Sequence, residues 1–90
     1  MTQEFRISFQ YQSRPYQARV LRNVAPGRVD YAVRPNAAFL VRTYGKQTLI
    51  FKENGVFRCL GQVSLHNPDY VNALIEAIAD QDRHPESAKA

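Results

Sequence analysis

A lone cysteine, two histidines, one short serine–histidine–aspartate run and nine arginines are the residues of this 90-residue chain that could do chemistry. Cys59, His66 and His84 lack the short paired spacing of a metal site, and there is no second cysteine to complete one. No metal and no cofactor is therefore expected. Ser64, His66 and Asp69 lie close together, but a catalytic triad is a spatial arrangement, and no nucleophile elbow precedes Ser64. His66 reads better as a local packing or hydrogen-bonding residue, and Cys59 as a small core side chain. The four glycines are scattered and form no phosphate-cradling loop. Asp30 and Glu53 are too far apart to read as a paired acid and base. These observations point away from an enzyme.

The arginines are a different matter. Between Met1 and His66 there are ten Arg or Lys against three acids, a net +7; from Asn67 onward there are two against five, a net −3. Arg outnumbers Lys nine to three, which favours fixed, forked contacts over simple hydration. A solvated sheet attracted to an acidic helix accounts for this pattern without any partner. Anion recognition accounts for it too. The choice depends on which elements carry these side chains and on what stands beside them.

The strands come first. Glu4 to Gln12 alternates, with Phe5, Ile7, Phe9 and Tyr11 on one side. Gln12 to Pro15 reads as a turn, and pairing Tyr11 with Tyr16, Phe9 with Ala18 and Ile7 with Val20 keeps the apolar residues together. Asn23 to Arg28 reads as a connector around Pro26-Gly27. Val29, Tyr31 and Val33 form the next apolar side, and Pro35-Asn36 a further turn. Phe39 and Val41 then read as core-facing strand residues, with Leu40 and Arg42 outside. Leu49 and Phe51 continue the core side. At Asn54-Gly55 a three-residue loop that pairs Phe51 with Phe57 and Leu49 with Cys59 keeps the faces consistent, and is favoured over a two-residue turn. Gly61 reads as a bulge, with Gln62 to Leu65 extending the strand.

One helix is expected, from Asn67 to Gln81. Asn67 suits the N-cap, Pro68 the first helical position, and Asp69 the positive end of the dipole. Val71, Leu74, Ile75 and Ile78 make one apolar stripe. The predicted architecture is an α+β domain over residues 1–83: an antiparallel meander of five or six strands with one C-terminal helix packed across one face. Residues 84–90 read as a disordered tail. No stretch is long and apolar enough to span a membrane, the N-terminus does not read as a signal peptide, and one cysteine suits a reducing compartment, so a cytoplasmic protein is expected.

This phasing places Arg6, Arg19, Arg34, Arg42, Lys52 and Arg58 on the outer sheet face, with Leu21, Leu40, Tyr44 and Ile50. An apolar patch ringed by arginine has the composition of a protein–protein interface. The expected function is a non-enzymatic protein-interaction module. A homodimer through that face or through an edge strand is the simplest version. The alternative partner is a nucleic acid, its phosphates on the arginines and a base on Tyr44.

Overall fold

The chain builds a sheet by returning on itself at every step. In a computed structural model, which describes residues 2–59 and 67–83, the order is β1 (Thr2–Tyr11), β2 (Arg14–Ala25), β3 (Arg28–Pro35), α1 (Ala38–Tyr44), β4 (Thr48–Glu53), β5 (Val56–Cys59) and α2 (Pro68–Arg83). The five strands are antiparallel and lie in sequence order in one sheet. The C-terminal helix packs on it, so the predicted α+β meander is what forms.

The β1–β2 hairpin keeps the predicted faces but shifts its register by two residues. Phe9 stands opposite Tyr16, Ile7 opposite Ala18 and Phe5 opposite Val20. The cause is a tighter turn. Gln12 and Ser13 both take positive φ, 53° and 63°, which makes a two-residue turn whose twist matches that of its strands. A shift of two leaves every side chain on its own face. Pro15 is tolerated in β2 because pairing with β3 begins only at Ala18, leaving one neighbour at that level. Strand β2 also runs further than predicted: Ala25 pairs with Arg28 across Pro26-Gly27, with Gly27 at φ 76°.

The segment after Pro35 overturns the one-helix expectation. Ala37, Leu40, Val41 and Tyr44 fall at i, i+3, i+4 and i+7, and residues Ala38–Tyr44 form a helix rather than a strand. Leu40 is fully buried, at 0%, while Phe39 is 48% exposed, the reverse of the strand reading. Gly45, at φ 96°, ends this helix by donating its N–H to the Val41 carbonyl at 2.9 Å. Chain direction therefore reverses through a helical turn, and β4 enters the sheet one residue out of the predicted phase. Ile50 faces the core at 1% exposure, and Leu49 faces out at 42%.

The second hairpin corrects in the same direction. Asn54 (φ 53°) and Gly55 (φ 79°) form a two-residue turn, so Glu53 pairs with Val56, Phe51 with Arg58 and Ile50 with Cys59. The predicted three-residue loop, with Phe51 opposite Phe57, does not form.

Helix α2 supplies the other half of the core. Tyr70, Val71, Leu74 and Ile78 are buried against the sheet, and Ile75 is half-buried. Burying four such side chains contributes roughly 6–12 kcal/mol gross, at about 1.5–3 each. Its two ends fix its course. The Tyr70 ring meets Phe9 and Tyr11 on β1, and near the other end Asp82 accepts a hydrogen bond from the Tyr31 hydroxyl on β3 at 2.8 Å. The helix thus runs obliquely over the sheet from its first strand to its third. The expected strand extension at Gln62 to Leu65, the Gly61 bulge, the readings of Ser64 and His66, and the C-terminal tail lie outside the described residues.

Candidate functional site

Three places on the molecule gather polar chemistry, two on the helix side of the sheet and one on the other. On the helix side, a tyrosine cluster closes the end of the core. Tyr44, at the end of α1, stacks on Tyr70 with ring centroids 4.0 Å apart and planes 12° from parallel. The Tyr44 and Tyr11 hydroxyls share a hydrogen bond. Burial raises the Tyr44 hydroxyl to about 12, and the bond to Tyr11 adds to the effect. Burial likewise lifts Tyr70 to about 12. The Tyr70 hydroxyl and Thr48 Oγ1 lie buried without a well-formed hydrogen bond. The raised Tyr44 and Tyr70 hydroxyls are neutral at ordinary pH, and their ring contacts anchor α1 and α2 onto β1.

Also on this side, Arg22, Tyr31, Lys52 and Asp82 line an open cavity of about 250 Å3 near the β2–β3 and β4–β5 turns. Burial raises the Tyr31 hydroxyl, while Arg22 and Asp82 pull it in opposite directions. Lys52 lies over the Phe57 ring, its Nζ 5.2 Å from the centroid.

On the opposite side the register writes its own rows. Arg6 stands opposite Arg19, and Arg19 opposite Arg34, so three neighbouring strands present arginine at one level. Neighbouring strands lie about 4.8 Å apart, so the row spans about 10 Å. Glu4 sits beside it, accepting from the Arg19 guanidinium at 2.8 Å. That bond holds the Glu4 carboxyl below its usual range, and the Arg34 and Arg6 charges lower it further. Arg34 Nε donates to Gln47 Oε1 at 3.1 Å. Among the described residues Arg6 has neither a hydrogen bond nor an ion pair.

The next level carries Glu4 on β1 and is apolar on the following three strands. Leu21, Ala32 and Leu49 stand opposite one another on β2, β3 and β4. One level further, Asp30 pairs with Phe51 and Phe51 with Arg58. Arg28 bonds Asp30 through Nε at 2.8 Å, and its guanidinium carbon lies 5.0 Å from the Phe51 ring centroid. A shallow cavity of about 150 Å3 opens between Arg28, Asp30, Leu49 and Ile50.

The sequence placed ten residues on this face, and five of them are there: Arg6, Arg19, Leu21, Arg34 and Arg58. Leu40 is in the core on α1, and Tyr44 is in the tyrosine cluster. Ile50 faces the core, and Lys52 shares its side of β4, over Phe57. Arg42 is exposed on α1. The structure instead brings Leu49, Phe51, Arg28 and Asp30 to the face. The signal that would have found Leu49 and Phe51 was the Asn54-Gly55 pair itself. A two-residue turn there turns both outward.

Among the described residues no group of His, Cys, Asp and Glu could hold a metal ion, and no helix is long and apolar enough to cross a membrane. The Cys59 side chain packs, half-buried, against the core. No family model, no curated protein and no solved structure matches the chain.

Proposed function

We propose that the chain is a non-enzymatic, cytoplasmic interaction module that works through the outer face of its sheet and takes an anionic partner. The observation that carries this reading is the Arg6–Arg19–Arg34 row. Like charges directly opposed on neighbouring strands cost stability. Three in a row, with Glu4 bonded to Arg19 alone, make a basic surface whose charge exceeds what its internal bonds use. A partner bearing negative charge converts that cost into affinity and speeds encounter.

A second copy of the chain is the simplest protein partner, and the sheet face serves it poorly. Two-fold packing of this face on itself would bury Arg6, Arg34 and Arg58 from both copies. Glu4 and Asp30 are already bonded to Arg19 and Arg28. Burying unpaired guanidinium groups is costly. Self-association fits an edge better: β1 is ten residues long and lies at one side of the sheet, a template for antiparallel pairing. That edge carries the second reading.

Light scattering at high micromolar concentration, together with retention on an immobilised sulfated polysaccharide, tests both. A monomer whose retention weakens in the Arg6→Gln and Arg34→Gln variants supports the anionic-partner reading. A dimer with no retention supports the edge reading instead and removes the first.

A further inference from the structure

We infer that the anionic partner is a single-stranded nucleic acid lying across the strands, its phosphates on the Arg6–Arg19–Arg34 row and its bases over the adjoining apolar level and the Arg28–Asp30 cavity. This deepens the proposed anionic-partner reading and rests on it.

The row supplies one guanidinium per strand crossed, and although Arg19 and Arg34 each spend one nitrogen on Glu4 and Gln47, their other nitrogens face a phosphate chain as Arg6 does. A partner with a single anionic group would use one of the three. A chain with regularly spaced charge uses them all.

The ground beside the row suits bases. Leu21, Ala32 and Leu49 give an apolar stretch at the next level, bounded on β1 by the Arg19-bonded Glu4. Beyond it, the Arg28 guanidinium lies over the Phe51 ring, a backed planar surface on which a base can stack. The cavity walled by Leu49, Arg28, Asp30 and Ile50, about 150 Å3, offers one planar group a place to enter. Arg28 and Asp30 are bonded to each other there, Nε to Oδ1 at 2.8 Å, so the pair presents a neutral, planar wall to a base. A carboxylate-rich peptide gains nothing from the apolar level or from the Arg28–Phe51 stack, which a base would use.

Arg34 and Asp30 lie four residues apart on β3, about 13 Å at ~3.3 Å per residue. The long arginine side chain closes part of that distance towards the phosphate. A base-paired duplex turns its bases inward and presents no free base to a sheet face, so the strand must be single.

The test is fluorescence anisotropy with a labelled single strand of about twelve nucleotides, inside the roughly 4–16 that one OB-fold domain, a different small single-strand binder, covers. It is run beside an abasic strand of the same length and a poly-glutamate of similar charge. The expected result is at least about tenfold tighter binding of the base-bearing strand than of either comparison chain. Arg34→Gln should weaken the base-bearing and abasic strands by the same factor. Phe51→Ala should weaken only the base-bearing strand, by about tenfold, and so should Leu49→Ser by a smaller factor. Leu49 is 42% exposed, so its variant keeps the fold and secures the result if Phe51→Ala does not. Equal affinity for the base-bearing and abasic strands overturns base binding and leaves the anionic-partner reading standing. Poly-glutamate binding as tightly as the base-bearing strand overturns the nucleic acid in favour of an acidic protein. If none of the three binds, both readings fall together.

Discussion

Arg6 on β1 stands directly opposite Arg19 on β2, and only Arg19 has a carboxylate bonded to it. On a sheet held by cross-strand pairs, an unrelieved like-charge pair is a local cost of about 0.2–1 kcal/mol. Arg6→Gln removes it while leaving the strand and its core face untouched. The variant should melt slightly higher than the parent, by about 1–8 °C for a chain of this size, and bind polyanions less well. A lower melting temperature would mean that Arg6 serves the fold, and the functional reading of the row would lose its first support.

The core makes a sharper demand. Leu74 is 0% exposed beneath α2, so Leu74→Asp buries a carboxylate with no partner. A loss above about 4 kcal/mol is expected, enough to abolish the cooperative thermal transition of a small domain. Ile75 is only half-buried, and Ile75→Asp should be milder, keeping a transition at lower temperature. Differential scanning calorimetry of the two variants separates them. Equal effects would mean that the helix is rotated from the position described.

Much of this architecture is legible in the residues, and the failures have a common cause. Helix α2 announces itself through a 3.6-residue stripe, and β1 through an alternation too regular to misread. The stripe Ala37, Leu40, Val41, Tyr44 was equally present. It is short, and Phe39 and Val41 also alternate, so either period fits seven residues. Missing that helix lets β4 slip by one, and Leu49-Ile50-Phe51 gives no warning, because three apolar residues in a row satisfy either phase. A slip of one exchanges the faces. The arginines of β1, β2 and β3, read from long clean strands, fell on the correct side. The apolar half of the candidate site, read from β4 and from the segment after Pro35, did not. Phe51 can stand outside because Arg28 covers its ring.

The first hairpin turn carries strain that can be removed. Gln12 and Ser13 hold φ of 53° and 63°, a region where neither residue is at ease. Replacing them together, Gln12→Asn with Ser13→Gly, supplies the pair that such turns favour. The double variant should gain about 0.5–1 kcal/mol in a urea titration, with an unchanged slope. In the other direction, Gly55→Ala meets no side chain or backbone within 4 Å but sits at φ 79°. Its loss should therefore be backbone strain alone, about 1 kcal/mol.

Alkali should find the tyrosine cluster. Tyr70 titrates near 12 in the folded chain against an ordinary value of 10, because it is buried. The unfolded chain thus loses this proton first as pH rises. The associated stability is fully present below pH 10 and is lost between pH 10 and 12. For Tyr70 the loss amounts to about 2–3 kcal/mol at most. Tyr44, held near 12 by burial and by Tyr11, adds to the loss in the same window. Tyrosinate absorbance should rise in two stages, the second coinciding with loss of the near-ultraviolet circular dichroism. One stage near 10 with the fold intact would contradict the packing of these rings.

The most direct test of the whole account is the salt dependence of single-strand binding. Three phosphates engaged by Arg6, Arg19 and Arg34 predict that the logarithm of affinity falls against the logarithm of salt concentration with a slope of about −2, at ~0.7 per phosphate. Arg34→Gln should reduce that slope to about −1.4 without disturbing the fold. A flat line for the parent chain, or one slope shared by parent and variant, would contradict the claim that this row of arginines is where the protein meets its partner.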